Sequence, residues 1–229
     1  MVSFGEYLES WEVEQKRYLE RLLAHQNNAT FSEESLNQLV DQVISHYQEY
    51  YIEKSKAAEN DVFVMFSPPW CSSFEKSLLW ATGFKPSITF QLVNESVGTE
   101  LNQEQIEKIS LVRDESSRME RDINEALAGV QESVAAPPFC TLVKRETVFL
   151  IDGERETAVH DVKDVVQELQ TAMLGVMRDA DYLRQHTAGQ VLEVLTPIQK
   201  VKFLAKTSQF WLHSRKLGMD KDRQHRTNF

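Results

Sequence analysis

A chain of 229 residues with 41% hydrophobic content, 12 Phe, 6 Tyr and 4 Trp has ample apolar material for a core, which excludes a disordered chain. Its 25 Lys and Arg against 35 Asp and Glu leave a formal charge of −10, so phosphate backbones repel it wherever basic groups are not concentrated. Only 8 Gly and 6 Pro are present, most where helices should end, which points to an all-α multi-helix bundle with long amphipathic helices.

The first predicted helix covers residues 4–25, with Leu8, Trp11, Gln15, Leu19, Leu22 and Leu23 on one stripe. Gln15 is the polar exception in that stripe. A second helix is predicted from a capping box of Thr30 and Glu33 through Leu36, Val43, Tyr47, Tyr50 and Tyr51 into 54–60. For DVFVMF at 61–66, periodicity leaves a last helical turn and a short extended piece both open.

Residues 68–86 read PPWCSSFEKSLLWATGFKP. Two prolines bar a helix from running in, and Ser72 with Glu75 forms a capping box, so a helix of about three turns starts at Ser73. Gly83 is expected in the left-handed position that ends it, and Pro86 near the first position of the next helix. Trp80 is expected to be a buried anchor of this corner. Cys71, just before a helix N-terminus where the dipole favours a thiolate, is the candidate reactive thiol.

Asn102 and Gln105 open a long helix whose apolar positions Ile106, Ile109, Val112, Met119, Ile123, Leu127, Val130 and Val134 nearly form a heptad seam. That seam suits a homodimeric coiled coil or a packed bundle, and Ser116 with the charged run RDESSRMERD favours the bundle. Residues 140–158, with VFLI, Asp152-Gly153 and RETAV, read as a small β-hairpin insertion. Helical periodicity resumes from about Val159 to Leu183. The last helix is predicted over 197–217, with Thr196 as N-cap, Pro197 at the first position, Gln199 at the third and Gly218 as the stop. A single domain over 1–218 and a polar, mobile tail over 219–229 follow.

Three stretches together carry a resemblance: YLESWEVEQKRYLERLLAHQ, CSSFEKSLLWATGFKPSITFQLV and LTPIQKVKFLAKTSQFWLHSRKLG. They resemble the delay-of-germination domain of plants, which also forms the C-terminal regulatory half of TGA-type bZIP transcription factors. Here the first helix begins within ten residues of the start, so the expectation is the branch without a basic region and zipper. The resemblance implies a regulator of the nucleus and cytoplasm that docks type 2C protein phosphatases in abscisic-acid and seed-dormancy signalling. The alternative is a transcription-associated domain acting through TGA-type bZIP factors.

By the same resemblance, partner binding falls on Glu6, Tyr7, Leu8 and Trp11, to which helical spacing adds Gln15. The dormancy branch is associated with a histidine pair for haem, and the matching positions fall near Trp211 and Arg215, with His213 between them. No cofactor is therefore expected, and His213 is the one candidate for haem or another ligand.

Catalytic signatures are missing. The six histidines show no H-E-x-x-H or C-x-x-C spacing, and there is no P-loop, dinucleotide fingerprint or G-x-S-x-G. The expectation is a non-enzyme with no metal, no direct sequence-specific DNA binding and no membrane span. No run of 18 apolar residues exists, and the acidic N-terminus is unlike a signal peptide. Cys71 and Cys140 are read as reduced, intracellular thiols.

Overall fold

A computed structural model describes residues 3–26, 31–136 and 156–227. Among them are eight α-helices: α1 (Phe4–Gln26), α2 (Glu33–Asn60), α3 (Val62–Phe66), α4 (Ser73–Leu78), α5 (Ile88–Val97), α6 (Gln103–Ala135), α7 (Glu156–Val194) and α8 (Pro197–Thr227). A single 3-10 turn, Gly98–Glu100, joins α5 to α6. No strand occurs among the described residues, as the all-α reading predicted. The 140–158 hairpin lies outside them up to residue 155, and 156–158 already belong to α7. No described helix is long and apolar enough to cross a membrane.

The main core joins α1, α2, α5, α6, α7 and α8 around Leu22, Leu39, Val43, Val93, Val191 and Val201. Each is almost wholly removed from water, and a fully buried side chain of this size contributes about 1.5–3 kcal/mol. The middle of the near-heptad seam of α6 is spent within the molecule, where α6 lies along α7 and buries Ile109, Val112, Ser116 and Ile123, while Ile106 and Val134 stay exposed. Thr187 of α7 donates to the Ser116 hydroxyl at 3.2 Å, so a polar pair sits in the seam where a coiled-coil dimer would want an apolar one.

Local signals decide most helix ends. Ser72 and Glu75 cap α4 reciprocally, and Asn102 and Gln105 do the same for α6. The DVFVMF segment is helical because Asp61 caps it through the amides of Phe63 and Val64. The cap of α2 is Ser32, whose hydroxyl accepts from Ser35 N, two residues later than the expected Thr30, which lies outside the described residues.

The predicted corner needs three corrections. Helix α4 stops at Leu78, four residues early, and Trp80–Gly83 form a tight turn with amide bonds in both directions, at 2.7 and 3.1 Å. The left-handed residues are Ala81 (φ 41) and Thr82 (φ 71), not Gly83. Gly83 is required for space, since a Cβ there would lie 2.9 Å from the Arg184 guanidinium. Pro86 stands two residues before α5, just ahead of its N-cap Ser87, whose N–H donates to Glu120 of α6 at 2.8 Å.

Helix α8 also departs from expectation, because it runs through Gly218 to Thr227. Gly218 is buried, and a Cβ at that position would approach Ser72 Oγ to 2.0 Å. Its role is close packing of α8 on the cap of α4, not termination. Beyond it, Asp222 accepts from Ser73 N at 3.1 Å and Lys221 lies over the Phe74 ring, so the polar end continues the helix instead of leaving it.

Candidate functional site

The first turns of α1 carry the residues that the resemblance assigns to a partner, and the bundle divides them. Leu8, Trp11 and Gln15 are buried. Trp11 stacks on His46 at 4.5 Å, meets Trp211 edge-on at 5.0 Å, and donates from Nε1 to the His46 carbonyl at 3.0 Å. Gln15 Nε2 donates to the Tyr47 hydroxyl at 2.6 Å and to Ser208 Oγ at 2.8 Å. These three side chains are core, because their row faces α2 and α8.

Two residues of the stretch remain toward the surface. Glu6 is exposed and accepts from Ser3 N at 2.8 Å while Ser3 Oγ accepts from Glu6 N, a cap on α1. Tyr7 is half-buried against Phe4. Its hydroxyl has no hydrogen-bond partner among the described residues, and burial with Glu49 and Glu53 nearby pushes it up to about 12.

Between α2, α7 and α8 lies a cleft of about 630 Å³, walled by Trp11, Tyr50, Phe84, Phe203 and Trp211 among others. Two ionic groups border it. In the first, Lys54 Nζ and Arg184 Nη1 both donate to Asp181 Oδ1, at 2.8 and 2.5 Å. Burial holds Lys54 down to about 8 against the pull of Asp181, and raises the Tyr50 and Tyr51 hydroxyls well above the ordinary tyrosine value. Arg184 also donates to the carbonyls of Phe84, Trp80 and Ala81, and so holds the left-handed turn in place.

In the second group, Arg215 donates to Glu12 at 2.6 Å, to the Trp70 carbonyl at 3.1 Å and to Glu75 at 3.4 Å. Burial disfavours a charged Glu12, yet hydrogen bonds from Lys16 and Arg215 outweigh it and lower its carboxyl below the usual range. Sequence reasoning missed Lys54, Asp181, Arg184 and Arg215 as a set. One signal points to them: Lys54 follows Tyr47, Tyr50 and Tyr51 on the apolar stripe of α2, where a charge must find a partner.

The remaining candidates separate. Cys71 is half-buried and its thiol is pushed up to about 11, first by burial and then by Glu75, which runs against the reactive-thiol expectation. Trp80 is a partial anchor, not a buried one. Its Nε1 donates to Asn124 at 2.7 Å, while Lys85 and Arg184 lie over its ring. Thr196, Pro197 and Gln199 open α8 as expected, with Gln199 Oε1 accepting from Thr196 N at 3.0 Å.

His213 is exposed and does not line the cleft. At the paired positions, Trp211 is packed on Trp11 and Arg215 is held by two carboxylates. These residues do not fit a haem held between two histidines of this helix. Among the described residues no cluster of His, Cys, Asp and Glu could hold a metal ion.

Comparison with known proteins gives this arrangement a family. The family model for seed dormancy control, DOG1, matches residues 18–95, from the middle of α1 through most of α5, including the framed corner. Protein ZW2 of Arabidopsis thaliana is 37% identical over 225 residues, which cover 95% of this chain and 96% of that protein. Protein RESPONSE TO ABA AND SALT 1 of the same plant is 36% identical over 228 residues, covering 96% of each. Transcription factor TGA2 is 27% identical over 215 residues, covering 91% of this chain but 63% of that factor. With nearly full-length relatives well above 30% identity, the chain belongs to the plant seed dormancy control family, DOG1, whose domain it shares with the TGA factors.

Proposed function

We propose that this protein is a non-enzymatic regulator that docks a signalling protein, with type 2C protein phosphatases in abscisic-acid and dormancy signalling as its partners. The observation that carries this reading is at the start of α1. Tyr7, a residue type common in interface anchors, is partly exposed beside the acids Glu49 and Glu53, with its hydroxyl enclosed, while the rest of its row is locked into the core. The relative named for its response to ABA and salt supports the signalling context. The place of action is the nucleus and cytoplasm, in keeping with relatives named as transcription factors.

Recombinant type 2C phosphatases titrated with the full chain test the reading. Glu49 is exposed, so Glu49→Lys should keep the melting temperature within about 2 °C, as surface changes do. It should weaken phosphatase binding about tenfold, or about 1.4 kcal/mol, and Tyr7→Ala should do so by at least as much. Unchanged binding in both variants would remove this end of α1 from the interface. A second reading, action through TGA-type bZIP factors, is favoured by the shared domain. Recovery of bZIP factors and no phosphatase from nuclear extract would select it.

A further inference from the structure

The ionic group of Lys54, Asp181 and Arg184 is unbalanced. Two cations share one carboxylate, and all three residues are less than 10% exposed. Four of the five donors of Arg184 are occupied, by Asp181 and by the carbonyls of Trp80, Ala81 and Phe84. Lys54 differs: of the three N–H donors of its ammonium, one is used, on Asp181, among the described residues. A buried cation with idle donors is costly unless something supplies the missing acceptor.

A second observation points to the same cleft. The Thr82 hydroxyl is buried without a hydrogen-bond partner among the described residues, on the left-handed turn that Arg184 fixes. Lys54 and Thr82 both line the cleft. Glu75 lines it too, but its oxygens are taken by Ser72 N and Oγ and by Arg215, so it does not answer the charge of Lys54. Strained backbone and unpaired polar atoms beside a cavity are features that a bound ligand resolves.

We propose that the cleft binds a small monocarboxylate with a compact ring body, the carboxylate received by Lys54 Nζ and Thr82 Oγ1. One negative charge balances the one surplus positive charge, whereas a dianion such as a phosphate monoester would leave a buried charge unmatched. The walls carry the aromatic side chains of Trp11, Tyr50, Phe84 and Trp211, which suit a ring body, and about 630 Å³ is within the range of small-molecule pockets. The cleft shares Leu8 and Trp11 with the start of α1, but Tyr7 and Glu49, which carry the docking reading, do not line it.

Two probes of one shape test it: 2-naphthoate and the uncharged 2-naphthalenemethanol, titrated into the full chain by calorimetry and tryptophan fluorescence. The naphthoate should bind at least tenfold more tightly. Lys54→Met leaves Asp181 paired with Arg184, so it should bring naphthoate down to the affinity of the alcohol and leave the alcohol unchanged. Thr82→Val, isosteric at a turn position already occupied by a β-branched residue, should weaken naphthoate alone about threefold, and it carries the test if Lys54→Met does not fold. Ala188→Trp, which fills the cleft, should abolish binding of both. Failure of both probes to bind, equal affinity for the two, or a carboxylate preference that survives the Lys54 and Thr82 variants would overturn the proposal.

Discussion

Replacing Gly218 by alanine isolates what the close contact between α8 and α4 contributes. A new Cβ would stand 2.0 Å from Ser72 Oγ, 2.9 Å from Ser72 Cβ and 3.4 Å from Phe74 Cβ. Ser72 is only 2% exposed and its hydroxyl is committed to the cap of α4, so it cannot turn aside without breaking that cap. Overpacking costs about 1–3 kcal/mol and a lost N-cap about 1, against about 1 gained because alanine favours helix over glycine. The net loss is about 1–3 kcal/mol, or some 2–4 °C per kcal/mol for a chain of this length. Gly129→Ala is the internal control, since its Cβ would meet nothing within 4 Å on an exposed helix, and it should stabilise by up to about 1 kcal/mol. Urea unfolding of the two variants in parallel decides. Equal stabilisation by both would show that Gly218 does not keep α8 against α4.

Cys71, pushed up to about 11, should react with iodoacetamide at pH 7.5 at least about a hundredfold more slowly than a free thiol, measured in a Cys140→Ser background; reaction at the free-thiol rate would refute the assignment. Tyr47 is raised to about 12, and Tyr50 and Tyr51 rise in the same direction. The unfolded chain therefore loses these protons first, above about pH 10, so the urea midpoint should fall steeply from there toward pH 12, and a flat midpoint would contradict their burial. His46 is shifted the other way, below its ordinary 6.5, because burial disfavours its charged form. The unfolded state then gains the proton first, and stability should decline as pH drops below about 6.5; His46→Gln should lessen that acid slope. Trp80→Ala should cost about 1–2 kcal/mol in thermal unfolding, less than the 3–5 of a fully buried aromatic, because its ring is only partly covered.

The sequence announces what is settled within four residues. The capping boxes of α4 and α6, the entry of α8 at Pro197 and the polar Gln15 in an apolar stripe are each legible in neighbouring residues alone. The features that local rules misplace depend on partners far along the chain. Helix α4 ends early where Arg184, about a hundred residues away, holds the carbonyls of the turn. Gly218 looks like a terminator until Ser72 is seen beside it, and Tyr7 and Trp11 share a row whose burial is set by α2 and α8. Lys54 and Asp181 lie 127 positions apart, and no local rule joins them.

The two ends of the bundle are fastened by different chemistry. Where α6, α7 and α8 meet, Gln105 Nε2 donates to the Val194 carbonyl and to Gln199 Oε1, and Gln199 Nε2 donates to the Glu100 carbonyl. The groups of that network are uncharged amides and carbonyls, so the network itself does not titrate, and the Glu100–Lys202 ion pair lies at its edge. The joints at Asp181 and at Arg215 are built from charges, and protonating their carboxylates leaves cations facing one another or facing nothing. Only acid well below the usual carboxylate range, enough to protonate Glu12, should therefore loosen the Arg215 joint while the amide end stays shut, opening the molecule like a book along a spine at Gln105 and Gln199.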